Sequence, residues 1–144
     1  MLAGLLSLLR QWRPDVATTV YSNHPADTHR RHSVQTWCSR PPRRRLERWQ
    51  QQVLPYWLLL RHRWFVLGGG DLLRDGPLNA AGQSVAEVWL QPLQQAIRLH
   101  CQTLVWGVSV GQLWRPRTQD RIRTVLNQTG LFAVRDRTSH TTLQ

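Results

Sequence analysis

Three groups of residues in this chain have side chains suited to chemistry. The first is Gly68, Gly69 and Gly70 followed by Asp71 and Asp75; the second is Gly107, Ser109 and Gly111; the third is the pair Arg135–Asp136. A carboxylate can hold a hydroxyl or take its proton, and a guanidinium can pair bidentately with a phosphate or carboxylate. Glycine has no Cβ, so a backbone rich in it can turn sharply and approach a ligand closely. Each group also has a plainer reading. The glycines suit a tight strand-to-loop turn, Asp75 a turn before Gly76-Pro77, and Arg135–Asp136 an ion pair capping a helix.

Each group follows a stretch that reads as a strand. Trp64-Phe-Val-Leu67 is a short apolar run that breaks into the three glycines and an acidic loop. Thr103 to Val110 is a second run, leading into Gly111-Gln112, and Gly130 to Val134 is a third, followed at once by Arg135. Helical patterns separate them. Ser84 with Glu87 three residues on predicts a capping box. It opens a helix from Val85 to about Leu99 whose inner face is Val85, Val88, Trp89, Leu93, Ala96 and Ile97, interrupted at Pro92. Pro116 suits the first turn of the next helix, with Ile122, Val125 and Leu126 inward. A final helix follows Asp136. Alternating strands and helices predict an α/β fold, a parallel sheet with helices on both faces, and ligands in such sheets sit outside the carboxyl ends of the strands. The three groups would then share one edge.

Upstream, Leu2, Leu5, Leu6 and Leu9 fall on one face of a helix from Leu2 to Trp12. A strand over Val16 to Tyr21, a short helix over Pro25 to Arg31 and a strand over Ser33 to Cys38 follow. Past Arg40-Pro41-Pro42, a helix from Arg43 would turn Leu46, Trp49, Val53, Trp57 and Leu60 to one side and kink or end at Pro55. With no repeat or linker, residues 1–144 read as a single domain.

The chain carries 19 basic against 8 acidic residues, a net charge of +11, and every basic residue is arginine. That balance invites a nucleic-acid reading through Arg40, Arg43, Arg44, Arg45 and Arg48, which would show as affinity falling steeply with salt. The arginines are otherwise spread along the chain, and the absence of lysine reads as coding bias. Arginine-rich surfaces equally suit small phosphate- and carboxylate-bearing substrates, so nucleic acid is not the expected partner. Cys38 and Cys101 match no zinc spacing and read as buried reduced thiols. His29 and His32 are too few for a metal site, so no metal is expected. No apolar run approaches the ~20 residues of a membrane-spanning helix. The opening Met1 to Arg10 lacks the basic start of a signal peptide and reads as an amphipathic helix of a cytoplasmic protein. A nicotinamide dehydrogenase is not expected, because no G-x-G-x-x-G leads from a strand into a helix.

From Trp64 onward the chain resembles the polysaccharide pyruvyl transferase family. The matching blocks are Leu67-Gly68-Gly69-Gly70 with Leu72-Leu73-Arg74-Asp75, then Val105 to Gly111, then Val134-Arg135-Asp136 with Ser139 and Leu143. Arg10 to Asp15 and Tyr21 to Pro25 fit the family's early helix, strand and loop more loosely. The resemblance covers nearly all of this chain and about the first half of a typical member. Members usually begin with a strand and a Gly-Asp-Glu-type loop, whereas this chain starts inside the first helix. Where the family commonly has Gly-Pro, this chain has Gly111-Gln112.

The resemblance implies a Rossmann-like sheet like the N-terminal domain of a two-domain, GT-B-like transferase, with the active cleft between the domains. It implies transfer of a pyruvyl group from phosphoenolpyruvate to two hydroxyls of a sugar, forming a cyclic ketal on a cell-surface polysaccharide or its precursor. The partners would be phosphoenolpyruvate as donor substrate and a sugar or lipid-linked glycan as acceptor, with no cofactor. Asp75, with Asp71 second, would hold or deprotonate the sugar hydroxyl. Arg135, beside Asp136, would take the donor's anionic groups. Gly68, Gly69, Gly70, Gly107, Ser109 and Gly111 would close the backbone on the substrates. With the second domain missing, the expected state is an incomplete N-terminal domain, inactive without a second domain or companion chain. The alternative is a noncatalytic remnant or binding domain of the same fold. A truncated sheet would expose an edge and an apolar face, favouring aggregation or partnering.

Overall fold

The computed structural model describes residues 2–22, 24–38 and 56–143. The arginine cluster Arg40 to Arg48, and the helix expected from Arg43 as far as Pro55, lie outside the described residues. The chain divides into two compact units, Met1–Gln52 and Val53–Gln144.

The first unit contains α1 (Leu2–Trp12), β1 (Thr19–Ser22), α2 (Pro25–His32) and β2 (Gln35–Cys38). The two strands pair in parallel, from Thr19 opposite Gln35 to Ser22 opposite Cys38, which makes α2 the crossover of a small βαβ unit. Pro25 lies in the first turn of α2, where its missing N–H costs nothing. Asp27 pairs with Arg30 at 2.7 Å and Arg31 at 2.8 Å along the exposed side. Both strands start later than expected. The Val16 N–H closes a turn on the Arg13 carbonyl at 3.1 Å, and Ser33 takes a left-handed conformation (φ 50°) as it ends α2.

The second unit contains α3 (56–61), β3 (Trp64–Leu73), α4 (Val85–Arg98), β4 (Gln102–Val110), α5 (Pro116–Leu126), β5 (Leu131–Val134) and α6 (Arg137–Leu143). The sheet order is β3-β4-β5, with every pair parallel. Parallel sheets flanked by helices are consistent with a Rossmann-like α/β fold. The core of this unit joins Leu67 and Leu73 of β3, Val105, Val108 and Val110 of β4, Leu90, Leu93 and Ala96 of α4, and Ile122 and Val125 of α5. Burying each of the larger aliphatic side chains contributes about 1.5–3 kcal/mol. Trp64, Val66, Trp106 and Leu131 lie outside this core and are exposed.

Two expectations for α4 are corrected. The helix runs through Pro92 instead of being interrupted there. Its interior proline costs about 3 kcal/mol, which the packing of Leu90, Leu93 and Ala96 offsets. The inward face is also rotated from the expected one: Ala86, Glu87, Leu90, Leu93 and Ala96 are buried, while Val88 is exposed. Contact with the sheet sets that rotation, and the capping box holds Glu87 inward.

Candidate active site

Gly68, Gly69 and Gly70 do not end their strand, as the sequence leads one to expect; they lie within it, while Gly111 lies just past the end of β4. Strand β3 continues through Gly68, Gly69 and Gly70 to Leu73. Gly69 has φ 79° and Gly107, in β4, has φ 61°. Both fall between the register rows Gly68–Trp106 and Gly70–Val108, so two neighbouring strands bend at the same level. A side chain at either position would be strained by a φ that L residues rarely adopt. Against β5, Gly107 is the extra residue of a bulge, since Trp106 pairs with Ala133 and Val108 with Val134. The bulge explains why Val105 and Val108, three apart, are both buried. The register between β3 and β4 runs unchanged past this level and sets Ser109 opposite Asp71 on β3, on strands about 4.8 Å apart.

Asp71 and Ser109 belong to a small polar group at the carboxyl edge of the sheet. The Asp71 carboxylate pairs with the Arg74 guanidinium at 3.0 Å, and both side chains are about half exposed. Gly111 backs this pair: a Cβ there would come within 2.9 Å of Arg74 Cβ and 3.0 Å of an Asp71 carboxylate oxygen. The Ser109 hydroxyl donates to Asp136 at 3.3 Å. Asp136 in turn accepts the Ser139 backbone N–H at 2.8 Å, capping the start of α6. That backbone bond, with help from the Ser139 and Ser109 side chains and the Arg135 charge, holds the Asp136 carboxyl below its ordinary range. Ser139 is itself buried and accepts the Val110 N–H at 2.8 Å, which fastens α6 to the end of β4. Arg135 is exposed, its backbone N–H donates to Val108, and its guanidinium forms no salt bridge among the described residues. Asp136 thus serves as the helix cap, while Arg135 is not its ion-pair partner.

Asp75 is differently placed. Its side chain is fully buried. One carboxylate oxygen accepts the backbone N–H groups of Trp114 and Arg115, each at 2.8 Å. The other accepts the Thr118 hydroxyl at 2.8 Å and the Arg115 guanidinium at 3.2 Å. Burial alone would raise this carboxyl's pKa. The Arg115 N–H, Thr118 hydroxyl, Trp114 N–H and Arg115 guanidinium outweigh it and hold the group below the usual range. A carboxylate with both oxygens engaged and no solvent access does not fit the expected role of deprotonating a sugar hydroxyl. Asp75 instead ties the end of β3 to the start of α5.

Arg115, Thr118 and Trp114 were not among the expected residues. A signal for them exists: α5 opens Arg115-Pro116, and Arg115 makes no side-chain cap bond. A helix start without Ser, Thr, Asp or Asn at its cap needs an acceptor from elsewhere. The expected capping box of α4 is present, with Ser84 Oγ accepting from the Glu87 N–H at 3.3 Å and Glu87 accepting from the Ser84 N–H at 2.8 Å. Cys101 is partly buried, its thiol directed at the Leu59 and His62 carbonyls, and burial pushes its pKa up.

The family profile for polysaccharide pyruvyl transferase matches residues 1–144. The chain belongs to this family. No curated protein and no solved structure gives a significant match. For this polysaccharide pyruvyl transferase family member, the fold brings Asp71, Ser109, Gly111, Arg135 and Asp136 to one edge. It places Gly68, Gly69, Gly70 and Gly107 deeper in the strands and Asp75 in the interior. No helix among the described residues is long and apolar enough to cross a membrane.

Proposed function

We propose that this chain supplies part of the cleft of an enzyme moving a pyruvyl group from phosphoenolpyruvate to a sugar of a cell-surface polysaccharide or its precursor. The observation that carries the reading is the edge itself. Three parallel strand ends offer a half-exposed carboxylate (Asp71), a hydroxyl held by a carboxylate (Ser109 on Asp136) and an exposed arginine that forms no salt bridge among the described residues (Arg135). In the transfer, a proton adds to the methylene carbon of the enol phosphate and an oxocarbenium develops at the neighbouring carbon. Attack by one sugar hydroxyl, expulsion of inorganic phosphate and attack by the second hydroxyl complete the ketal, with both hydroxyl protons released. Asp71 accepts a sugar hydroxyl proton, Ser109 hydrogen-bonds the acceptor, and Arg135 pairs with the donor's carboxylate or phosphate. Asp75 is a positioning residue. Gly111 leaves room for the Asp71–Arg74 pair, and the Gly69 and Gly107 bend aims Asp71 and Ser109. A second domain or companion chain completes the cleft in the manner of a two-domain transferase, and the reaction belongs in the cytoplasm.

The test incubates the chain, alone and with any separately encoded second half, with phosphoenolpyruvate and a lipid-linked glycan acceptor. Phosphate release and the new ketal methyl resonance are followed. Asp71→Asn is expected to slow transfer by about 10²–10⁴-fold. Calorimetry of phosphoenolpyruvate binding to wild type and Arg135→Ala should show weaker binding by the variant, and equal affinities would remove Arg135 from the site. The burial of Asp75 favours a second reading, a binding domain of the same fold without turnover. Donor binding with no phosphate release under any pairing selects it.

A further inference from the structure

Beyond the carboxyl edge, the loop from β3 to α4 and the first turns of that helix enclose a shallow cleft of about 210 Å³. Its apolar wall is Pro77, Val85, Val88 and Trp89, and its polar groups are Asn79, Gln83 and Ser84. Among the described residues no charged side chain lines it, although the chain carries 19 basic and 8 acidic residues. An anion such as the donor would find no partner there.

The loop that forms the cleft is pre-organised. Asn79 Oδ1 accepts the backbone N–H groups of Ala81 and Gln83, each at 2.9 Å, and the Asn79 amide donates to Gln83 Oε1 at 3.1 Å. The Asn79 N–H also donates to the Gln83 carbonyl at 3.0 Å. This arrangement holds the Gln83 side chain by its oxygen and leaves its amide nitrogen as a donor. An indole, an aliphatic wall and a fixed amide suit a ligand with one C–H-rich face and hydroxyls around its rim. Such a face sits on an aromatic ring through dispersion and weak C–H contacts, and the hydroxyls take hydrogen bonds from the amide. The volume is below the ~300–1,000 Å³ of pockets that enclose a whole drug-sized molecule. It suits one unit of a longer chain.

We infer that this cleft is a subsite for a neutral sugar unit of a glycan, seated on Trp89 and hydrogen-bonded by Gln83. It rests on the proposed acceptor chemistry and extends it: the cleft begins two residues past Asp75, on the loop leaving the same strand end. A glycan could then be held at a unit that does not react, while another unit meets Asp71.

The experiment titrates the full chain, with its tryptophan indoles labelled for nuclear magnetic resonance, with neutral tetrasaccharides of glucose, galactose and mannose. The Trp89 resonance, assigned with Trp89→Phe, is expected to shift saturably with at least one of them. Phosphoenolpyruvate should leave it in place. Val88→Glu puts a charge at an exposed position on the apolar cleft wall and is expected to weaken binding about tenfold, the scale of roughly 1.4 kcal/mol of lost apolar contact, with the fold unchanged by circular dichroism. Gln83→Ala should weaken it by a smaller factor. No shift with any of the three sugars, an equal response in Val88→Glu, or a Trp89 shift that follows protein concentration alone would overturn the subsite. The last would mean that a second copy occupies the cleft. Sugar binding at Trp89 without pyruvyl transfer would defeat the proposed function and leave the subsite standing. Transfer with an unmoved Trp89 would do the reverse.

Discussion

Asp71 and Asp75 stand four residues apart at the end of one strand, yet the fold uses them in opposite ways. Asp75 is fully buried and accepts four hydrogen bonds from Trp114, Arg115 and Thr118. Asp71 is half exposed and, among the described residues, has a single ion pair, with Arg74. What separates them is the element that reaches each one. The residues leading into α5, Trp114 and Arg115, bring two backbone N–H groups and a guanidinium to Asp75, its first turn adds the Thr118 hydroxyl, and the carboxylate answers all four. The surface at Asp71 offers one half-exposed guanidinium, and the pair packs directly against Gly111. A carboxylate that satisfies a helix start becomes scaffold, whereas one left beside a solvated arginine stays available to a ligand.

The largest effect should come from removing the buried member of the pair. Asp75→Ala leaves the Trp114 and Arg115 N–H groups and the Arg115 guanidinium without their acceptor, and is expected to lower stability by about 3 kcal/mol. Urea denaturation measures it, and a loss below about 0.5 kcal/mol would show that α5 is anchored by other contacts. The same carboxylate should shape the acid side of the stability curve. Its folded pKa lies below the unfolded one, so its contribution is present above the unfolded value of ~3.9 and is lost as pH falls through the lower folded value. Asp75→Asn should therefore flatten the acid limb, and an unchanged limb would assign it to other groups such as Asp136.

Gly111→Ala tests the other member through its support. The new Cβ meets Arg74 Cβ and the Asp71 carboxylate inside normal contact distance. The expected cost is about 1–2 kcal/mol, with the Asp71–Arg74 pair displaced. A variant as stable as wild type, with the Asp71 carboxyl resonance unmoved, would mean that Gly111 does not set the pair. The smallest effect on stability is expected for Asp71→Asn, within about 0.5 kcal/mol of wild type, because the ion pair it breaks is solvated. A thermal unfolding scan measures this. A large loss there would erase the contrast between the two aspartates.

Signals carried by near neighbours were legible. The Ser84–Glu87 capping box, Pro116 at the start of α5, the alternation of strands with helices and the order of the three glycine- or aspartate-bearing blocks all rest on contacts within a few residues or on a pattern along the chain. The same local logic failed where distant elements decide. The buried face of α4 departs from the pattern of Val85 and Val88 because the sheet, and the bonds between Glu87 and Ser84, set its rotation. By sequence alone the glycines at 68–70 look like the end of a strand, yet β3 runs on to Leu73. A bend inside a strand is recognised only when the neighbouring strand bends in register, as Gly107 does.

The sequence by itself determined the element types, the family and the set of polar residues available to a ligand, since these depend on composition, local bonding and spacing. Only the tertiary structure decided which aspartate is free. Asp75 lies about forty residues from Trp114, Arg115 and Thr118, and Ser109 meets Asp136 across 27 residues. Contacts of that range form only once the strands are in register and the helices have docked. A buried carboxylate is stable only where such partners converge on it.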